Sequence, residues 1–139
     1  MIHGFGASPY LLNSACFALP WLYGKGYDLL LYTMPFHGAR RAALAPMNGA
    51  GMFAFGPANF NEAMLHAVHD FRLFVDHLEA SGVEQVGVAG LSLGGYLSAV
   101  LATVEERLRL VITNAAVTNM ADSSGNGSRP GSAWRSPRC

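Results

Sequence analysis

Residues 88–96 read Val88-Ala89-Gly90-Leu91-Ser92-Leu93-Gly94-Gly95-Tyr96, and this stretch decides the fold. A strand leads into it. Residues 83–89, with Val86 and Val88 at their centre, read as a strand. Residues 96–106 place Leu97, Val100, Leu101 and Val104 at helical spacing. Between strand and helix, Gly90 and Gly94 bracket Ser92 in a G-x-S-x-G turn. A serine on such a corner presents its Oγ at the C-terminal edge of the sheet. The glycines let the backbone turn without a Cβ clash. The helix start behind the serine adds a field that favours negative charge.

Outward from this corner the pattern alternates between strand and helix. Residues 108–113 read as another strand. Upstream, residues 59–81 form the clearest helix, with Met64, Ala67, Val68, Phe71, Phe74, Val75 and Leu78 in one apolar stripe. Asn59 and Glu62 fit a capping box at its start, and Gly82 suits the residue just past its end. Residues 27–33 are a short apolar run between Gly26 and Pro35 and predict a strand. Residues 11–23 predict a helix interrupted or ended near Pro20. The connection over residues 35–57 is rich in Gly, Ala, Met and Phe, which is apolar for a surface loop. Its residues 47–55 could line an acyl pocket or a lid, or simply pack. The fold class expected is α/β, a parallel sheet with helices on both faces.

Composition narrows the function classes. The chain has 139 residues, 51% hydrophobic and 13% charged, a balance suited to one globular domain. Nine basic and nine acidic side chains cancel, so nothing favours nucleic acid or an anionic membrane as partner. No apolar stretch reaches the roughly 20 residues of a membrane span. The opening residues lack the charged and apolar parts of a signal peptide, so a cytoplasmic location is expected. Cys16 and Cys139 form neither a disulfide framework nor a zinc pattern, and Cys16 is expected to be buried.

A second motif, His3-Gly4-Phe5-Gly6, joins the serine corner, and with it the chain resembles the α/β-hydrolase superfamily. The resemblance covers residues 1–121 and is similar to esterase-like and peptidase-like serine hydrolases alike. It implies that Ser92 is a catalytic nucleophile and that Gly90 and Gly94 shape its elbow. It further implies that the Phe5 and Leu93 N–H groups form an oxyanion hole, with His3 a structural residue of the turn. The implied substrate is a small-molecule ester, thioester or amide, with no metal and no organic cofactor. Residues 27–33, 83–89 and 108–113 then match the fourth, fifth and sixth strands of the family sheet.

The departures carry as much weight. In the family the order is Ser, then acid, then His. Here His3, His37, His66, His69 and His77 all precede Ser92. Asp122 is a weak candidate for the acid, since it follows the sixth strand. The base is expected outside residues 1–139, which makes the chain a fragment without turnover of its own. The rival readings are a non-catalytic binding protein of the same fold and a broken gene product. His66, Asp70 and His77 share the face opposite the apolar stripe, which reads as solvated rather than metal-binding. His37, at the rim, reads as a hydrogen-bonded loop residue in preference to a substrate contact. Arg40 and Arg41 either bind an acidic group or solubilise the loop.

Two expectations concern integrity. After residue 121 the chain turns to Ser, Gly, Pro and Arg, so residues 122–139 are expected to be a disordered tail, with a shifted reading frame preferred over a natural end. The third strand is reduced to Met1 and Ile2. Its loss is expected to leave a gap of about 10 Å between its neighbours, with orphaned backbone groups and a tendency to aggregate.

Overall fold

The computed structural model describes residues 1–7 and 9–116. In chain order these form α1 (Tyr10–Cys16), α2 (Leu19–Gly24), α3 (Pro57–Ala80), β1 (Val86–Leu91), α4 (Leu93–Val104) and β2 (Leu108–Asn114). Two short 3₁₀ turns, Gly38–Arg40 and Ala50–Phe53, lie in the long connection before α3. Strands β1 and β2 are parallel, with Val88 opposite Val111 and Leu91 opposite Asn114.

The predicted strand over residues 27–33 reduces to a single bridge at Tyr32. The expected gap beside it is closed at one rung, because Ile2 lies between Tyr32 and β1. The Tyr32 N–H donates to Met1 O at 2.9 Å, and the Ile2 N–H donates to Ala89 O at 2.8 Å. The Leu91 N–H then donates to Ile2 O at 3.1 Å. The Met1 amine completes the set with a 2.8 Å bond to Leu30 O. Burial pushes that amine down to about 6. Below this rung the two neighbours stay apart, and Gly87 of β1 is exposed.

Helices α3 and α4 cover one face. Ile2, Tyr32, Val88, Leu97 and Leu101 are buried there with Met64, Ala67, Phe71 and Val75 of α3. Phe74 sits at the margin of the stripe, 40% exposed. Helices α1 and α2 lie across the opposite side of residues 29–31, since Leu29 and Leu31 line a hollow with Tyr10, Leu19 and Pro20. They do not reach β2, whose Leu110 and Ile112 are 56% and 49% exposed. Parallel strands are ordinarily covered on both faces, whereas no helix among the described residues covers this patch.

Local rules explain where the elements differ from expectation. α3 starts two residues early because Pro57 takes the first helical position, where its missing N–H is harmless. Asn59 is therefore inside the helix, and its side-chain amide donates to Gly51 O instead of capping. The far end is as expected: Gly82 has φ 85°. The Val83 N–H reaches back to Leu78 O at 3.0 Å. Pro20 has no N–H for Cys16 O, so the first helix breaks at Ala18, φ 49°, and resumes as α2. Cys16 is exposed, not buried, because α1 turns that side outward. α4 begins at Leu93 rather than Tyr96, directly after the serine.

One ion-pair cluster ties the α4–β2 connection to α3. The buried Glu105 carboxylate accepts from Arg107 Nε at 2.6 Å and Nη2 at 2.7 Å. Arg72 of α3 lies 3.3 Å away. Arg107 also donates to Asp76 and Glu79 of α3. The Arg107 guanidinium holds the Glu105 carboxyl down to about 2, against the opposing effect of burial. A depressed carboxyl stabilises the fold above its unfolded value and loses that effect as pH falls. Glu105→Gln should therefore lower stability by about 2 kcal/mol near neutral pH. The difference from the parent should shrink below the ordinary carboxylate range and vanish near pH 2, read by urea unfolding at a series of pH values.

The uncovered patch makes its own prediction. The double variant Leu110→Lys, Ile112→Lys should stay monodisperse in light scattering where the parent associates, with an unchanged thermal midpoint. Equal association of both proteins would assign the tendency to another surface.

Candidate active site

The strand-to-helix corner is held from two sides. The Ser92 N–H donates to Asn114 O of β2 at 2.8 Å, and Ser92 O accepts from the Tyr96 N–H at 3.0 Å. Ser92 itself has φ 53° and ψ −113°. A residue with a Cβ in that region stores about 1–3 kcal/mol of strain. The flanking glycines do not take positive φ. They are needed for space instead. A Cβ on Gly90 would overlap the Gly94 carbonyl and Ser98 Oγ. A Cβ on Gly94 would overlap the backbone of Ile2 and His3, and one on Gly95 would lie 3.1 Å from Asn114 O. The glycines thus let α4 settle onto the first residues of the chain and the end of β2.

Ser92 occupies the N-cap position of α4, where a serine ordinarily turns its oxygen onto the first N–H groups. Here there is no such bond. Its backbone conformation aims the side chain elsewhere. Among the described residues no side chain hydrogen-bonds Ser92 Oγ, and the Leu93 and Phe5 N–H groups have no partner. The Leu93 N–H is one of the free donors of a helix start.

The segment from His3 lies against this corner. A Cβ on Gly4 would sit 3.4 Å from Ser92 Cβ and from Leu91 O. The Ala7 N–H closes a turn onto Gly4 O at 3.1 Å, and Gly6 at its third position has φ 72°. That is a type II turn, which requires glycine there. Two histidines hold it. His3 Nε2 accepts from the Met34 N–H at 3.2 Å, so Nδ1 carries the proton and donates to Gly4 O at 2.8 Å. His37 Nε2 accepts from the Gly6 N–H at 3.1 Å, and its Nδ1–H donates to Pro35 O at 2.9 Å. Both rings are buried, 4.8 Å apart between centroids. Burial lowers both below the usual imidazole range, so they stay neutral near neutral pH. With both ring nitrogens engaged, neither acts as a base toward Ser92.

The other charged candidates lie elsewhere. Asp70 is not on a purely solvated face: it pairs with Arg40 and meets the Tyr32 hydroxyl. Arg40 is thus engaged at the α3 side of the fold. His66, His69 and His77 are exposed along α3. No cluster of three metal-ligating side chains occurs among the described residues. Asp122 and the 122–139 tail lie outside the described residues. In the long connection, Met52 is buried and Phe53 bridges Phe5, at 5.5 Å, and Phe60, at 5.2 Å. Leu44, Met47 and Phe55 of the same connection stay exposed.

A helix packed on a sheet through glycines, with a strained serine at the corner, is now joined by a sequence match. The family model of the alpha/beta hydrolase family matches residues 1–138. This chain belongs to the alpha/beta hydrolase family. The sheet order seen here, Tyr32, Ile2, β1, β2, is a partial form of such a parallel α/β fold. No curated protein and no solved structure matches the chain. No helix among the described residues is long and apolar enough to cross a membrane.

Alanine at Gly94 separates the two accounts of that glycine. Helix propensity alone would stabilise the variant by about 1 kcal/mol. Contact with the Ile2–His3 backbone should instead destabilise it by about 1–3 kcal/mol in denaturant unfolding.

Proposed function

We propose that this chain of the alpha/beta hydrolase family carries the nucleophile and oxyanion-binding half of a serine hydrolase for small-molecule esters, thioesters or amides. The observation that supports it is Ser92, strained at φ 53° and capping nothing, with the Leu93 and Phe5 N–H groups unengaged among the described residues. In this reading Ser92 Oγ attacks the carbonyl carbon, and the π electrons move onto the carbonyl oxygen. The Phe5 and Leu93 N–H groups donate hydrogen bonds to that oxygen, whose negative charge is larger in the transition state than in the ground state. The field at the start of α4 acts in the same direction. The intermediate collapses to an acyl-serine and expels the alcohol, thiol or amine. Water then releases the acid.

The serine proton needs an acceptor, and this reading draws the base and its acid from outside the described residues. Without them Ser92 is a weak nucleophile. Loss of the base lowers turnover by roughly 10⁴-fold or more, while the oxyanion donors leave a residual rate.

A fluorophosphonate probe tests the proposal. Slow labelling at Ser92 is expected, located by mass spectrometry and absent in Ser92→Ala, with ester turnover near background. Equal labelling of the two proteins would remove Ser92 as nucleophile and favour a non-catalytic binding role for the same fold.

A further inference from the structure

We propose that His37 is a positioning residue for the oxyanion turn, acting through the Gly6 N–H. The inference rests on the reading of Phe5 as an oxyanion donor. A type II turn leaves two inner N–H groups, here those of Phe5 and Gly6, free of the turn's own hydrogen bond. Without a partner for Gly6, the turn can tilt and offer either donor to solvent or ligand. His37 removes that freedom by taking the Gly6 N–H at 3.1 Å. Among the described residues, the Phe5 N–H is then the turn's one uncommitted inner donor.

The ring is itself fixed on every side. Its Nδ1–H bond to Pro35 O leaves Nε2 as the bare nitrogen that can accept. Phe5 meets it edge-on at 5.7 Å, and His3 lies 4.8 Å away. Gly49 closes the remaining side: a Cβ there would come 2.7 Å from Nε2. Gly49 is anchored by its N–H to Phe36 O at 2.9 Å. His37 has no exposed surface. A histidine that only filled space would not need its acceptor lone pair aimed at a backbone donor 31 residues away.

The experiment compares the full chain with His37→Leu, which keeps volume and loses the acceptor, and with His37→Gln, whose Oε1 can accept from Gly6. Residue-resolved amide hydrogen exchange at Gly6 and the rate of Ser92 labelling by fluorophosphonate are the two readouts. His37→Leu should exchange at Gly6 and label at Ser92 about tenfold faster and about tenfold slower, respectively. His37→Gln should restore most of both. Unchanged Gly6 exchange in His37→Leu, or a glutamine variant that behaves like leucine, would overturn the proposal. If His37→Leu does not fold, retained Gly6 protection in His37→Gln supports the latch and its loss refutes it. If the parent chain never labels, the nucleophile reading fails on its own, and Gly6 exchange alone decides the role of His37.

Discussion

Ile2 joins the two halves of the sheet, and the rest of the structure depends on that one rung. On one side it is tied through Met1 to Tyr32, and on the other to Ala89 and Leu91 of β1. Its side chain is fully buried among residues of α3 and α4. Buried backbone groups must find partners, and here four bonds within two residues provide them. The same two residues continue into the turn over Ser92. Fold and site therefore share one anchor. Gly94 makes the anchor accessible, because any side chain there would strike the Ile2 and His3 carbonyls.

The serine corner was legible in the sequence because its cause is local. A short apolar run, a glycine-flanked serine and a helical stripe specify strand, turn and helix within some twenty residues. The end of α3 was legible for the same reason, since Gly82 alone provides the positive φ that stops the helix. The start of α3 was misplaced because Asn59 and Pro57 offered competing signals, and the proline prevailed. The family resemblance placed Met1 and Ile2 between residues 27–33 and 83–89, but the closure of the gap at Ile2 was not legible, because backbone pairing between distant residues leaves no local pattern. Residues 27–31 have the composition of a strand and lack a neighbour to pair with over most of their length.

The histidines show the same division. His3 stands in a recognisable motif, and the structure gives its ring two partners, Gly4 O and the Met34 N–H. His37 stands in a loop with no motif of its own. Its role is visible only when Gly6 is seen beside it. A signal was available in the pairing of two His-Gly steps, 3–4 and 37–38, each following a short apolar run. Both rings are neutral donors and acceptors in fixed tautomers, which separates them from an acid–base role. In the apolar connection after His37, Met52 is buried and Phe53 meets Phe5, while Leu44 and Phe55 stay exposed.

The strain at Ser92 has an evolutionary side. Glycine would relax that backbone, whereas serine alone supplies the oxygen. Under the proposed function, conformational ease and chemical use thus oppose each other at a single position. Drift without selection runs toward the relaxed residue, so the corner would lose its hydroxyl before it lost its shape. A lineage that kept this architecture purely as a scaffold could become more stable by the same substitution that would end the proposed chemistry.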